Sequence, residues 1–292
     1  MADDPAAIHL MSLNVCGVPS RLAPMAERAH SFGRYIEESD LDVVNFQEVM
    51  VPRTLETIRA RLPSFPFVAW RRGAGGRPAG GLVTFSRQPI GAVSYTSFQG
   101  VRPSTGGLRF RARGALNSLL QGVLTVELPG LGVVVVNTHL TANKDGDWSA
   151  ANRYYAFQRA QVGAVHAILR KVRSVTPRLV VVSGDFNIAS DGPLYPLIID
   201  GGIWHDPFAA TDPATFHQCF LPPRAPAHRI DYILVTGDRL PGAAPTGSPA
   251  IESAVLFDEP RALPDGRRMH VSDHMALTAR IPLPPPGGPA AV

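Results

Sequence analysis

The sequence predicts an α/β domain of two packed sheets with helices outside, and three observations carry this. Short continuous apolar runs recur, the clearest being Leu179-Val180-Val181-Val182 before Ser183-Gly184-Asp185-Phe186-Asn187. A run of that length, stopped by a turn signal, fits a strand buried on both faces. Stretches with apolar residues at helical spacing lie between these runs, as over residues 25–38 and 153–173. Finally, the chain has 292 residues, 45% of them hydrophobic, which is enough for one large core. Strands interleaved with helices and some hairpins give layers in a single domain.

Residues 8–15 read as a strand, and 25–38 as a helix carrying Phe32, Tyr35 and Ile36. A second buried strand, 41–46, ends at Gln47-Glu48. Pro52 then suits the first turn of a helix reaching about Leu62. A short strand at 67–70, a Gly/Arg-rich loop at 71–80 and a strand at 81–86 follow. Residues 100–117, with Arg102, Arg109, Arg111 and Arg113, are expected to be irregular. Strands come next at 119–128 and 133–137, then the longest helix at 153–173 and the central strand at 179–183. A Pro-rich loop, 207–226, leads into a strand at 230–235, and strands at 251–257 and 275–280 close the domain, taken as 1–283. Residues 284–292, rich in Pro and Gly, are expected to be a disordered tail.

The formal net charge of +4 suits a phosphate-bearing substrate. It does not single out nucleic acid, which would need a basic cluster on one face. The arginines of 102–113 would serve either nucleic-acid phosphates or an anionic membrane surface. Cys16 and Cys219 make no disulfide framework and no metal spacing. The N-terminus, Met-Ala-Asp-Asp-Pro, lacks the apolar region of a signal peptide, and no run is long enough to span a bilayer. The default expectation is a cytoplasmic monomer, with secretion open if an upstream segment was removed.

Polar groups appear repeatedly where an apolar strand ends or begins: Leu13-Asn14, Asn45-Phe46-Gln47-Glu48, Asn137-Thr138-His139, Asp185 to Asn187, Arg229-Ile230-Asp231 and Ser272-Asp273-His274. That repetition points to one shared site. A buried carboxylate without a partner is costly, so Asp185 and Asn187 are expected just past the strand end, on the loop. Glu48 at a strand end suits a hard cation such as Mg²⁺, although alone it reads more readily as a surface Glu beginning a loop. His139 alone reads as structural. His274 differs, because Asp273 precedes it and Asp231 opens another strand. A carboxylate on Nδ1 fixes the tautomer and leaves Nε2 free as a base. Asn14 and Asn187 can donate to phosphoryl oxygens without adding charge, or act as turn residues. Together these supply a metal ligand, a histidine base with a carboxylate partner, and donors for a pentacoordinate phosphorus, which matches metal-assisted hydrolysis of a phosphate ester. No Walker lysine loop, dinucleotide glycine fingerprint or nucleophile elbow is present.

The ordered blocks Leu13-Asn14-Val15, Gln47-Glu48-Val49, Asn137-Thr138-His139-Leu140, Gly184-Asp185-Phe186-Asn187, Arg229-Ile230-Asp231-Tyr232 and Ser272-Asp273-His274 resemble the signatures of the endonuclease/exonuclease/phosphatase superfamily. The resemblance implies a four-layered α/β sandwich, two packed mixed β-sheets flanked by helices. It implies a Mg²⁺-dependent site at one sheet edge, with Mn²⁺ as a substitute. It makes Glu48 the metal ligand with Asn14 beside it, and has Asp273 help with metal or water. Asp185 would orient or activate the nucleophile, Asn187 and His139 would contact phosphate oxygens, and His274, paired with Asp231, would be the general base or acid.

Within that superfamily the neutral sphingomyelinases fit best. Asn14-Val15-Cys16-Gly17-Val18-Pro19 is similar to their Asn-x-x-Gly-Ile-Pro start, and residues 137–143 to their Thr-His-Leu-His-Ala segment. The helix with Tyr154, Arg159 and Gln161 is loosely similar to the one after it. Thr141 departs from the pattern, standing where they usually have His, and no C-terminal membrane-spanning pair exists. The function implied is a Mg²⁺-dependent phosphodiesterase acting on a phospholipid such as sphingomyelin, with peripheral membrane contact. A deoxyribonuclease-like nuclease or an inositol or sugar phosphatase is the enzymatic alternative. A catalytically silent scaffold would not need Glu48, Asp185, Asn187, Asp231 and His274 together. The loop Cys219-Phe220-Leu221-Pro222-Pro223 is a candidate apolar tip for membrane contact, or a loop packed on the body.

Overall fold

The structure is a computed structural model that describes residues 7–17, 22–200, 203–236 and 250–285. Two six-stranded mixed sheets pack face to face. The first contains β1 (Ala7–Asn14), β2 (Val43–Gln47), β3 (Phe67–Ala69), β4 (Val83–Ser86), β11 (Glu252–Leu256) and β14 (Ala276–Pro282), in the order β11-β14-β1-β2-β4-β3. The second contains β5 (Val93–Ser97), β6 (Gly122–Leu128), β7 (Val133–His139), β8 (Leu179–Asp185), β9 (Trp204–His205) and β10 (Asp231–Thr236), in the order β5-β6-β7-β8-β10-β9. A small ribbon joins β12 (Arg261–Ala262) to β13 (Arg268–Met269). Each large sheet holds one parallel pair, β1 with β2 and β7 with β8, and its remaining pairs are antiparallel.

The core has three levels. Ile8, Leu10, Val43, Val135, Val181 and Ile233 meet between the sheets. Helices α1 (Met25–Glu38) and α2 (Pro52–Arg59) cover the first sheet, with Phe32, Ile36 and Ile58 against Leu13 and Phe46. Helices α4 (Tyr155–Ser174) and α5 (Tyr195–Ile198) cover the second, with Val162, Val165 and Ile198 against Val136 and Val182. The result is the four-layered α/β sandwich. Strands covered on both faces need no alternation, which is why Val133 to Val136 and Leu179 to Val182 are unbroken apolar runs.

Three expectations are corrected. Residues 100–117 are not irregular throughout, because Leu108–Leu120 is a helix, α3, and the strand expected from 119 begins at Gly122. Leu, Arg and Ala favour a helix here, but the usual signal was missing: its buried positions are Gly114 and Ser118, not leucines. The edge strand β5 was not foreseen; none of its residues is fully buried, so it carries no apolar run. Asp185 lies inside β8 as its last residue, not on the loop, and only Asn187 lies beyond the strand. Its burial is tolerated because the partners described below surround it. Phe220 and Leu221 are half-buried, and the Phe220 ring packs on His217 and His270, so that loop folds back on the body. Of the expected tail, residues 286–292 lie outside the described residues, as do Val18 and Pro19. Among the described residues no helix is long and apolar enough to cross a membrane.

Candidate active site

One edge of the sandwich collects Asn14, Glu48, His139, Asp185, Asn187, Asp231 and His274. The C-terminal ends of the parallel strands β1, β2, β7 and β8 bring Asn14, Gln47, His139 and Asp185, while the antiparallel β10 begins there with Asp231. The register sets His139, Asp185 and Asp231 side by side across three strands, and pairs Asn14 with Gln47. His274 arrives just before β14 and bridges to Phe216.

Asp185 is the hub. Its Oδ2 accepts the Asn14 amide N–H at 2.9 Å and lies 3.4 Å from His139 Nε2 and 3.7 Å from His274 Nε2. Its Oδ1 accepts the Asn187 backbone N–H at 2.8 Å. Burial pushes the Asp185 carboxyl up to about 6, against the pull of His274 and His139. His274 Nδ1 lies 2.9 Å from Asp231 Oδ2, its ring meets Phe216 edge-on, and its backbone N–H donates to Ser272 Oγ. Burial alone would lower the His274 pKa, but Asp231 and Asp185 outweigh it and raise it to about 10. Asp231 is held by its own backbone N–H, which donates to Thr215 Oγ1.

Glu48 is placed differently. It sits one residue past β2 in a left-handed conformation, φ 60°. Its Oε1 accepts the Asn14 amide at 3.3 Å, while Oε2 is buried without a partner among the described residues. Cys16 and Asn187 are also left-handed, φ 47° and 52°, so three turns at this edge carry strain of about 1–3 kcal/mol each. Two glycines make the approach of the chains possible. A Cβ on Gly184, φ 146°, would lie 1.9 Å from the Thr138 carbonyl oxygen, and one on Gly17 would lie 1.8 Å from that of Glu48.

Among the described residues a cation has two candidate seats. Atoms of Asp185, Asp231 and His274 lie within 4.8 Å of one another, which distance alone would allow. Yet these groups already satisfy each other as an ion-paired network. Glu48 Oε2, without a partner among the described residues and with the Asn14 amide beside it, fits a hard cation that needs open oxygens and keeps its waters. Asp273 is half-buried, and it and Glu48 together oppose the lowering of the Arg28 pKa that burial causes.

Several structural pairings were not foreseen from the sequence. Buried Arg28 donates to the carbonyls of Val15, Cys16, Ala23 and Val271, tying the turn after β1 to the segment that carries Asp273 and His274. Buried Arg229 bridges Asp206 and Asp212, at 2.7 Å each, and is firmly protonated although burial opposes it. Gln47 donates to Asn137 Oδ1, and Asn45 to Ser183 Oγ, so polar pairs rivet the two sheets behind the site. Gln158 donates to the carbonyls of Thr141 and Asn187. Thr141 is buried, with its N–H on Gln161 and its hydroxyl on Gln121 and Gln161. The only sequence signal for these groups was polarity inside apolar surroundings.

A cavity of about 690 Å³ opens beside Glu48 and His139. Phe110, Leu119 and Tyr154 give it apolar walls, and Arg72, Arg77 and Arg113 give it positive charge.

A model described as Endonuclease/Exonuclease/phosphatase family matches residues 11–274. No curated protein matches the sequence. Sphingomyelinase C from Streptomyces griseocarneus is similar in structure, with 18% identity, 94% of this chain and 99% of that chain covered, and a TM-score of 0.65. A beta toxin mutant from Staphylococcus aureus with bound magnesium ions gives 18%, 94%, 100% and 0.68. TDP2 from D. rerio, complexed with a single-strand DNA product, gives 18%, 94%, 98% and 0.64. At these identities the likeness is one of fold.

Proposed function

Because the chain belongs to the endonuclease/exonuclease/phosphatase family, we propose that it is a Mg²⁺-dependent phosphodiester hydrolase whose substrate is a phospholipid of the sphingomyelin kind. The observation that carries the reading is Glu48 Oε2, a buried carboxylate oxygen without a partner among the described residues, beside the Asp185 hub and in the lining of an apolar and cationic cavity. Glu48 would hold Mg²⁺, or Mn²⁺ in its place, with Asn14 and Asp273 beside it. The bound ion supplies Lewis-acid charge to a phosphoryl oxygen.

The chain's own residues do the rest. Asn14 fixes Glu48 and Asp185 relative to each other through one amide. Asp185 orients the attacking water, and His274, held by Asp231 through Nδ1, exchanges a proton at Nε2. Asn187 spends one amide N–H on the Leu140 carbonyl and offers the second to a phosphoryl oxygen, next to His139. Sphingomyelinase C shares the fold and supports the lipid reading, and the beta toxin with bound magnesium ions supports the metal. The cavity's apolar walls suit a lipid better than a polynucleotide track.

The test compares the specificity constant for sphingomyelin in mixed micelles with nicking of plasmid DNA and hydrolysis of inositol phosphates, at matched Mg²⁺ and salt. Preferential lipid cleavage, abolished by chelator, is expected. Efficient plasmid cutting with lipid untouched would replace the lipid reading by a nuclease one.

A further inference from the structure

Helix α3 is turned inside out. A surface helix of a globular domain points its apolar stripe inward. Here the residues facing the body are Gly114 and Ser118, together with Phe110, whose ring meets Tyr154 edge-on at 4.8 Å. The leucines face outward, with Leu108 83%, Leu116 55% and Leu119 53% exposed. At 3.6 residues per turn, Leu108, Ala112, Leu116 and Leu119 fall within roughly 80° of arc. Arg109 and Arg113 flank that stripe on one side and Arg111 on the other. An exposed apolar stripe between cations is the pattern of a helix lying in a membrane interface.

The sequence on either side of it carries the same sign. From Glu56 to Glu127 the chain has no Asp or Glu between, yet it holds Arg71, Arg72, Arg77 and the three arginines of α3. Arg113 and Leu119 of α3 also line the cavity that reaches Glu48 and His139. We propose that α3 is a docking helix for an anionic phospholipid bilayer, seating its leucines among the acyl chains and its arginines on the headgroups, so that the cavity faces the lipid surface. This rests on the phospholipid reading of the same site. Other occupants fit less well. Two copies paired through this face would set arginines against arginines. A single-stranded nucleic acid would need aromatic stacking surfaces, whereas the outward face is aliphatic.

The test is flotation with vesicles of phosphatidylcholine alone, or mixed with phosphatidylglycerol, in chelator so that no lipid is cleaved. The wild type should float with the anionic vesicles, and added salt should weaken this. Leu108→Ser/Leu116→Ser should bind about tenfold or more weakly while cleaving bis(p-nitrophenyl) phosphate at the parent rate. Arg109→Gln/Arg111→Gln, which alters no apolar residue, should lose the preference for anionic vesicles. Unchanged flotation of the leucine variant overturns the proposal. So does a wild-type dimer that this variant dissociates, or salt-dependent oligonucleotide binding lost in the arginine variant while vesicle binding persists. Flotation without any lipid cleavage would retain docking and discard the substrate reading; lipid cleavage with leucine-independent flotation would do the reverse.

Discussion

The two ends of the site are built on opposite terms. Asp185, Asp231 and His274 satisfy one another, backed by Asn14, the Asn187 N–H and Thr215. Glu48, from the other sheet, sits in a left-handed turn and keeps a buried oxygen with no partner among the described residues. A closed network of shared protons is finished when the chain folds. An orphaned carboxylate oxygen costs free energy until a cation arrives. On the proposed reading, the contrast separates a proton-handling half that folding completes from a coordinating half that it leaves open.

The largest test breaks the closed half. His274→Ala should lower kcat/KM by about 10²–10⁴. Asp231→Asn should damage the same step, so the double variant should fall well short of the product of the two losses. Strictly multiplicative losses would show that the pair does not work as a unit. Arg229→Met, two residues before Asp231, attacks the buried ion pair with Asp206. It leaves Asp206 buried without its cation, so denaturant unfolding should show a loss of about 3–5 kcal/mol. A loss within 1 kcal/mol would mean that this ion pair supports little.

The open half is tested by Glu48→Gln, which keeps the shape and removes the charge a hard cation needs. It should cost about 10²-fold in rate, or ~3 kcal/mol of lost charge stabilisation. Mg²⁺ should also raise the Tm of the parent and not of the variant, since only a folded-state ligand stabilises. An equal Mg²⁺-dependent shift in both would place the ion elsewhere. The smallest effect is expected at Thr141→Val, where losing the hydroxyl leaves the Gln121 and Gln161 side chains short of a partner at about 1–2 kcal/mol of stability. A rate change beyond about tenfold would give Thr141 a part in the chemistry and not only in the scaffold.

The same contrast separates what was legible in the chain from what was not. Apolar runs of strand length marked β1, β2, β7, β8 and β10 near their observed positions, because strands covered on both faces must be apolar throughout. Polar residues at their ends marked Asn14, Glu48, His139, Asp185 and Asp231 as members of one edge. Helix α3 stayed hidden because its leucines do not mark a packing face, and β5 because an edge strand need not be apolar. By itself the sequence determined which residues had to be buried, and hence the layers and the edge where polar groups gather. Long-range packing was needed for Asp185 to lie inside a strand, for Glu48 to keep an oxygen without a partner among the described residues, and for Arg28 to tie the turn after β1 to Val271. Those outcomes depend on partners as many as 243 residues apart in sequence, as Arg28 and Val271 are, and local pattern holds no record of pairings made across the chain.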